Sequence, residues 1–305
     1  MIRKALLTAF TLLLLHALFV YVNPISSSQY AWQGNTIKAQ QFIYGDASES
    51  IIVGSSLSNR LVMDSLQGMT NLSFSGQGIF DGLSILNHSS KSPRLVFIET
   101  NIMMRDENEN FTSYINSPVL SPIKRAIPSL RDEFQPVGIL GEIIIRTLKK
   151  DESGQSNDLE EMTTQRSGDD TFFQKMLTLQ AENYNQTPDT TVLRARFEDL
   201  AKAVENLEVN GVRVIFFEMP VNETLCDLAE PQMIREYYRR YFPESKYDYI
   251  RVPHCDGYVT TDGAHLGGAE ALRYTKFFKR HAEALVAGQH PAPASATLPE
   301  QIPAP

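Results

Sequence analysis

The chain is short of positive charge, cysteine and tryptophan. Its 305 residues carry 28 Lys and Arg against 36 Asp and Glu, for a net charge of -8. No basic run follows Arg3 and Lys4. That argues against nucleic acid as a partner, because binding to phosphates needs clustered cations. The single tryptophan, Trp32, leaves no aromatic platform for sugar rings. No segment repeats, and no Gly-x-Ser-x-Gly elbow of an ordinary α/β-hydrolase is present. Only two cysteines occur, Cys226 and Cys255. In an exported chain two cysteines often pair, and the closed loop adds roughly 3–4 kcal/mol. Two free, buried thiols are the alternative reading.

What is present is an ordinary globular composition, 42% hydrophobic and 21% charged, behind an unusual start. After Arg3 and Lys4 comes an apolar run from Ala5 to Val22, broken only by Thr8, Thr11 and His16 and stopped at Asn23-Pro24. The run is about the length needed to cross a hydrocarbon core. The cations at its head keep that end cytoplasmic and export the rest. A cleaved signal peptide competes with an uncleaved anchor. The residues Tyr21-Val22-Asn23-Pro24 make a poor cleavage site, which favours the anchor.

Residues 25–48 read as a polar linker. Short β-branched runs then alternate with helical spacing. Ser50–Val53, Asn71–Phe74, Leu95–Ile98, Val212–Phe217 and Tyr247–Val252 read as strands. Leu57–Leu66, Ile79–Leu86, Thr191–Leu207 and Ala269–Leu285 read as helices. Such alternation implies an α/β domain, residues 49–287, around a mostly parallel sheet covered on both faces. Between residues 102 and 190 the pattern breaks into an insertion, read as a lid or partner surface. Its apolar patch Ile139–Leu148 reads as helical, and Asp151–Asp169 as a mobile loop. The Pro/Ala-rich tail, 288–305, is expected to be disordered.

Ligands of such sheets bind beyond the carboxyl ends of the strands. The expected ends carry Gly54-Ser55-Ser56-Leu57-Ser58, then Asn71-Leu72-Ser73-Phe74-Ser75-Gly76, then Glu99-Thr100-Asn101. Asp262-Gly263-Ala264-His265 stands before the last helix. Acyl transfer needs this set of groups. A serine hydroxyl becomes nucleophilic when a histidine takes its proton, and a carboxylate holds that histidine in one tautomer. Backbone or amide donors must face the developing oxyanion. Each residue also has a bland reading: Ser56 as a helix cap, Gly76 as a turn, Asn101 as a loop residue, Asp262 as a capping acid and His265 as a surface histidine. Their coincidence in one order outweighs the single bland readings. A zinc site from His254, Cys255, Asp262 and His265 fits no regular spacing, so neither metal nor cofactor is expected. His88, His281 and His290 read as solvated. Glu99 and Glu218 read as making local structural bonds.

The four segments resemble, in order, the blocks of the SGNH (GDSL-like) hydrolase superfamily. The resemblance runs from Ile51 to the final helix and omits the insertion. It implies a flavodoxin-like α/β/α sandwich with a mostly parallel sheet. It implies Ser56 as nucleophile, His265 as base and Asp262 as its orienting acid. The oxyanion donors would be the Ser56 amide, Gly76 and Asn101. Two departures stand out: Ser55 replaces the acid before the nucleophile, and Glu99 and Ile102 replace the glycine and acid around Asn101. With the anchor, 1–24, the layout resembles exported polysaccharide O-acyltransferases held by one span in the cytoplasmic membrane, their catalytic domain in the periplasm. That implies a multi-span membrane protein as acyl donor and a polysaccharide as acceptor. An esterase or deacetylase releasing acyl groups to water is the alternative, as is a catalytically degenerate assembly subunit.

Overall fold

The fold is described from a computed structural model, over residues 2–22, 32–135, 170–252 and 257–288. The patch 139–148, the loop 151–169 and all of the tail except Gly288 lie outside the described residues.

The chain divides into two compact units. The first contains the described residues 2–22, 32–47, 84–90 and 108–135. Helix α1 spans Ile2–Val22. Its 21 residues extend about 31 Å at the α-helical rise. It is long and apolar enough to cross a membrane. Helix α2, Trp32–Tyr44, occupies a stretch expected to be linker. It forms because it is held from outside. Asn35, Thr36, Ile37, Ala39, Gln40 and Phe42 are buried, and Trp32 meets Phe111 edge-on at 5.5 Å. The insertion contributes α4, Glu109–Ile115, and α5, Leu120–Ala126, to this unit.

One buried polar network ties the unit together. Asp132 accepts from Lys124 and Gln40, and from Tyr114 at 3.0 Å, while its own N–H donates to Gln40 Oε1 at 3.0 Å. Burial opposes the charge on Lys124. The bonds to Asp132 and Tyr114 outweigh it and raise the amine above its ordinary pKa. Lys124→Met removes the cation and leaves a buried carboxylate, so it is expected to cost about 3–5 kcal/mol. Replacing Lys124 and Asp132 together by apolar residues is expected to cost much less. Thermal unfolding of the full chain in detergent measures both. Equal losses from the single and the double replacement would contradict this account.

The second unit contains residues 48–83, 91–107 and the described residues from 170 onward. Its sheet has five parallel strands: β1 Ser50–Gly54, β2 Met69–Ser73, β3 Leu95–Glu99, β4 Arg213–Phe217 and β5 Asp248–Ile250. The spatial order is β2-β1-β3-β4-β5. Ile52 stands in register with Asn71 on one side and Phe97 on the other. Ile51, Ile52, Val53, Val96, Phe97 and Ile98 are wholly buried, because helices cover both faces of the sheet. The order reverses between β1 and β3, and sheets of this kind bind ligands at the carboxyl ends of such a switch point.

The crossovers are helical. Helix α3, Ile79–His88, follows β2. Helix α6, Asp170–Tyr184, and α7, Thr190–Val209, precede β4. A short α8, Glu223–Cys226, and α9, Ala229–Tyr241, follow it. Helix α10, Gly268–Val286, ends the domain. Strand alternation sorts the packing. Phe217 points to α10, with Phe278 5.1 Å away, and Phe97 meets the same ring at 5.1 Å. The next residue back, Phe216, faces the other way and meets Tyr238 of α9 at 5.4 Å. Phe197 of α7 meets Tyr238 edge-on at 4.8 Å. Each such buried ring contributes about 2 kcal/mol or more.

The helix expected over 57–66 is replaced by two 3-10 turns, Ser58–Arg60 and Met63–Ser65. Leu57, Leu61 and Leu66 are buried as their spacing suggests. However, Val62 is extended, and its N–H bonds Thr275 Oγ1 of α10 at 3.0 Å instead of a preceding carbonyl. The Ser58 N–H is likewise taken by Glu99 Oε2 at 3.1 Å.

Candidate active site

Ser56 follows β1 at the turn into the first 3-10 segment. Its Oγ lies 2.9 Å from His265 Nε2. His265 Nδ1 lies 2.8 Å from Asp262 Oδ2. A carboxylate only accepts, so Nδ1 carries the proton and Nε2 is left to accept from the serine hydroxyl. The other carboxylate oxygen, Oδ1, accepts the amides of Ala264 at 3.0 Å and His265 at 2.8 Å. Burial alone would raise the Asp262 pKa. The His265 ring and these two amides outweigh it and hold the carboxyl at about 2, below its ordinary 3.8.

A depressed carboxylate stabilises the fold above its unfolded pKa, and that contribution is lost as pH falls through the folded value. Asp262 is therefore expected to contribute about 2 kcal/mol above pH about 4, vanishing near pH 2. Thermal midpoints of the native protein and Asp262→Asn should converge across that window. A constant gap down to pH 2 would contradict the assignment.

The loop that carries Asp262 and His265 is a small hairpin. Thr260 bridges Leu266, and Thr261 N–H donates to His265 O at 2.8 Å. Asn222 N–H donates to Gly263 O at 2.8 Å, which ties the loop to the segment after β4. Gly263 needs its glycine twice: its φ is +94°, and a Cβ would meet Leu177 at 2.9 Å. Leu177 belongs to α6, within the insertion. Leu177, Ala181 and Tyr184 form one face of that helix, packed on the core that contains Leu225, Ala264 and Leu266. The last helix of the insertion is thus a wall behind the Asp262–His265 loop. Burial pushes the Tyr184 phenol well above its ordinary pKa, and the charges of Glu230, Glu99 and Asp262 push it further.

The expected oxyanion donors stand at the neighbouring strand ends. Gly76 follows β2 with φ +74°, a backbone state that favours glycine, although a Cβ there would meet nothing. Asn101 follows β3 and is clamped to the end of β4. Its Oδ1 accepts Met219 N–H at 2.7 Å, and its Nδ2 donates to Met219 O at 2.8 Å. An amide nitrogen carries two hydrogens, so one remains for a ligand.

Sequence reasoning left Glu99 without a role at the site, and the structure supplies one. Its wholly buried carboxylate accepts Ser55 N–H at 2.9 Å and Ser55 Oγ–H at 2.7 Å. It also accepts Ser58 N–H at 3.1 Å and Ser58 Oγ–H at 2.5 Å. Four donors on both sides of Ser56 thus converge on one side chain. Asn71 Nδ2 adds a bond to Ser58 O at 2.9 Å. Gly54 leaves the room: a Cβ there would meet Glu99 Oε2 at 2.6 Å and clash with Ser58 Oγ. The available signal was an acid closing the apolar run Leu95-Val96-Phe97-Ile98.

Glu218 makes local bonds, pairing with Arg235 at 2.6 Å. His281 is buried, not solvated. Its ring lies 4.0 Å from that of Phe277, and its Nδ1 bonds Phe277 O, because it sits on the inner side of α10. Cys226 is disulfide-bonded. Cys255 and His254 lie outside the described residues, as does His290. No protein-family model matches the chain, and no curated protein matches it.

Proposed function

We propose that the chain is a membrane-anchored, extracytoplasmic serine O-acyltransferase of the SGNH type, acting on an exported polysaccharide. One observation carries the reading: the unbroken hydrogen-bond relay from Asp262 through His265 to Ser56. The strand order β2-β1-β3-β4-β5 supports a flavodoxin-like sandwich with its site at the switch point. The departures from the family pattern also compensate each other. The acid absent at position 55 returns at position 99, where Glu99 accepts the Ser55 hydroxyl.

In this reading His265 Nε2 takes the hydroxyl proton as Ser56 Oγ attacks the carbonyl carbon of an acyl donor. The Ser56 and Gly76 amides and the remaining Asn101 hydrogen hold the oxyanion. The C–O bond to the leaving group breaks, and His265 returns the proton to it. A sugar hydroxyl then gives its proton to His265 and attacks the acyl-enzyme. A new ester forms, and Ser56 recovers its proton. Acetyl is the acyl group we favour. Helix α1 anchors the domain, with Arg3 and Lys4 on the cytoplasmic side. A multi-span membrane protein supplies the acyl group.

The test is to give the full chain an activated acetyl ester, with and without candidate glycans. Acetyl on the glycan, absent with Ser56→Ala, supports transfer. Acetate release alone, lost in the same variant, moves the reading to an esterase. Equal rates in both proteins would leave the assembly-subunit reading.

A further inference from the structure

Helix α5 in the first unit exposes its large apolar side chains and buries a lysine. Leu120, Ile123 and Ile127, at helical spacing, are 39%, 43% and 45% exposed, and the adjoining Val119 is 66% exposed. Lys124, one turn after Leu120, is instead 9% exposed and paired with Asp132. Water as the outer medium would favour the reverse arrangement. The segment also has a definite place along α1. His16 Nε2 lies 3.3 Å from Ser129 O, in the 3-10 turn Pro128–Leu130 that follows α5. Val20 is buried in the same unit. His16 lies about 9 Å short of the helix end at Val22, at the α-helical rise.

We propose that residues 119–127 lie in the boundary between headgroups and acyl chains of the outer leaflet, with the apolar stripe as a second, shallow membrane contact. The inference rests on reading α1 as membrane-spanning. A contact about 9 Å short of the outer end of a spanning helix falls within the depth at which interfacial helices bury their apolar face. The occupant is phospholipid. Arg125 and Arg131, whose guanidinium groups lie 5.9 Å and 4.9 Å from the Tyr44 ring, belong to the same segment and suit anionic headgroups. The contact would keep the exported part of the chain near the bilayer, where a membrane-bound donor delivers its acyl group.

The experiment uses the full chain in vesicles of phosphatidylcholine and phosphatidylglycerol. Trp32→Phe removes the native fluorophore, and Ile123→Trp or, separately, Val119→Trp places one in the stripe. Leu12→Trp in the same background marks the middle of α1. Lipid brominated high in the acyl chain is expected to quench the stripe tryptophans about twofold, and lipid brominated at the chain ends less. The Leu12 probe should show the opposite order. Quenching at Leu12 but at neither stripe position would overturn the proposal and leave the spanning helix intact, with the stripe open to a protein partner. No quenching at any of the three would remove the spanning reading and the proposal with it.

Discussion

Ser56→Ala is expected to lower turnover of an activated acyl ester by about 10³-fold or more, and His265→Ala by a similar factor. The double variant should be no slower than either single one. The reason is geometric. Ser56 Oγ and His265 Nε2 are 2.9 Å apart, and each is useless to the reaction without the other. Groups that act as a unit lose their function together, so their losses do not add. The Michaelis constant should change little, since the relay acts on the transition state more than on the bound ester. Steady-state kinetics of the four proteins check this. Additive losses would mean two independent roles and would contradict the relay.

Glu99→Ala is expected to have the second largest effect, although Glu99 itself belongs to no relay. It would leave two amides and the Ser55 hydroxyl of the nucleophile loop without their acceptor, while the Ser58 hydroxyl can turn to Ser73 Oγ at 2.7 Å. Buried donors without partners cost about 1–3 kcal/mol each, and relaxation of the loop would recover part of that. A net loss of about 3 kcal/mol or more is expected. Relaxation also moves Ser56, and a displacement of about 1 Å at a nucleophile costs roughly 10²-fold in rate. Gly54→Ala should act in the same way from the other side, by pushing on Glu99 and Ser58. In both variants kcat should fall while KM stays nearly constant, measured below the lowered unfolding midpoint. Full turnover in Glu99→Ala would show that the loop holds its shape without the carboxylate.

The sheet was legible in the sequence because its central strands are buried along nearly their whole length. Ile51-Ile52-Val53 and Leu95-Val96-Phe97-Ile98 have no polar face to confuse with a helix. Ser56, Asp262 and His265 were legible because short motifs and their order carry them, and the fold brings these three side chains into contact. Helix α2 was not legible. Its buried residues include Asn35, Thr36 and Gln40, so no apolar stripe marks it, and Asp132, the partner of Gln40, is far along the chain. Helix α9 was missed because it buries only Ile234 and Tyr238 among charged residues. The place of Glu99 was hidden for a related reason. The local bonds expected of Glu99 are there, but their partners Ser55 and Ser58 reach it only through the fold.

The most direct measurement is of the acyl-enzyme itself. The full chain is incubated with an activated acetyl ester, quenched in acid within the first turnover, digested and mapped by mass. The account predicts one acetyl group on the peptide that contains Ser56, absent from Ser56→Ala. An unmodified Ser56 alongside continuing ester turnover, or the same adduct in the alanine variant, would contradict it.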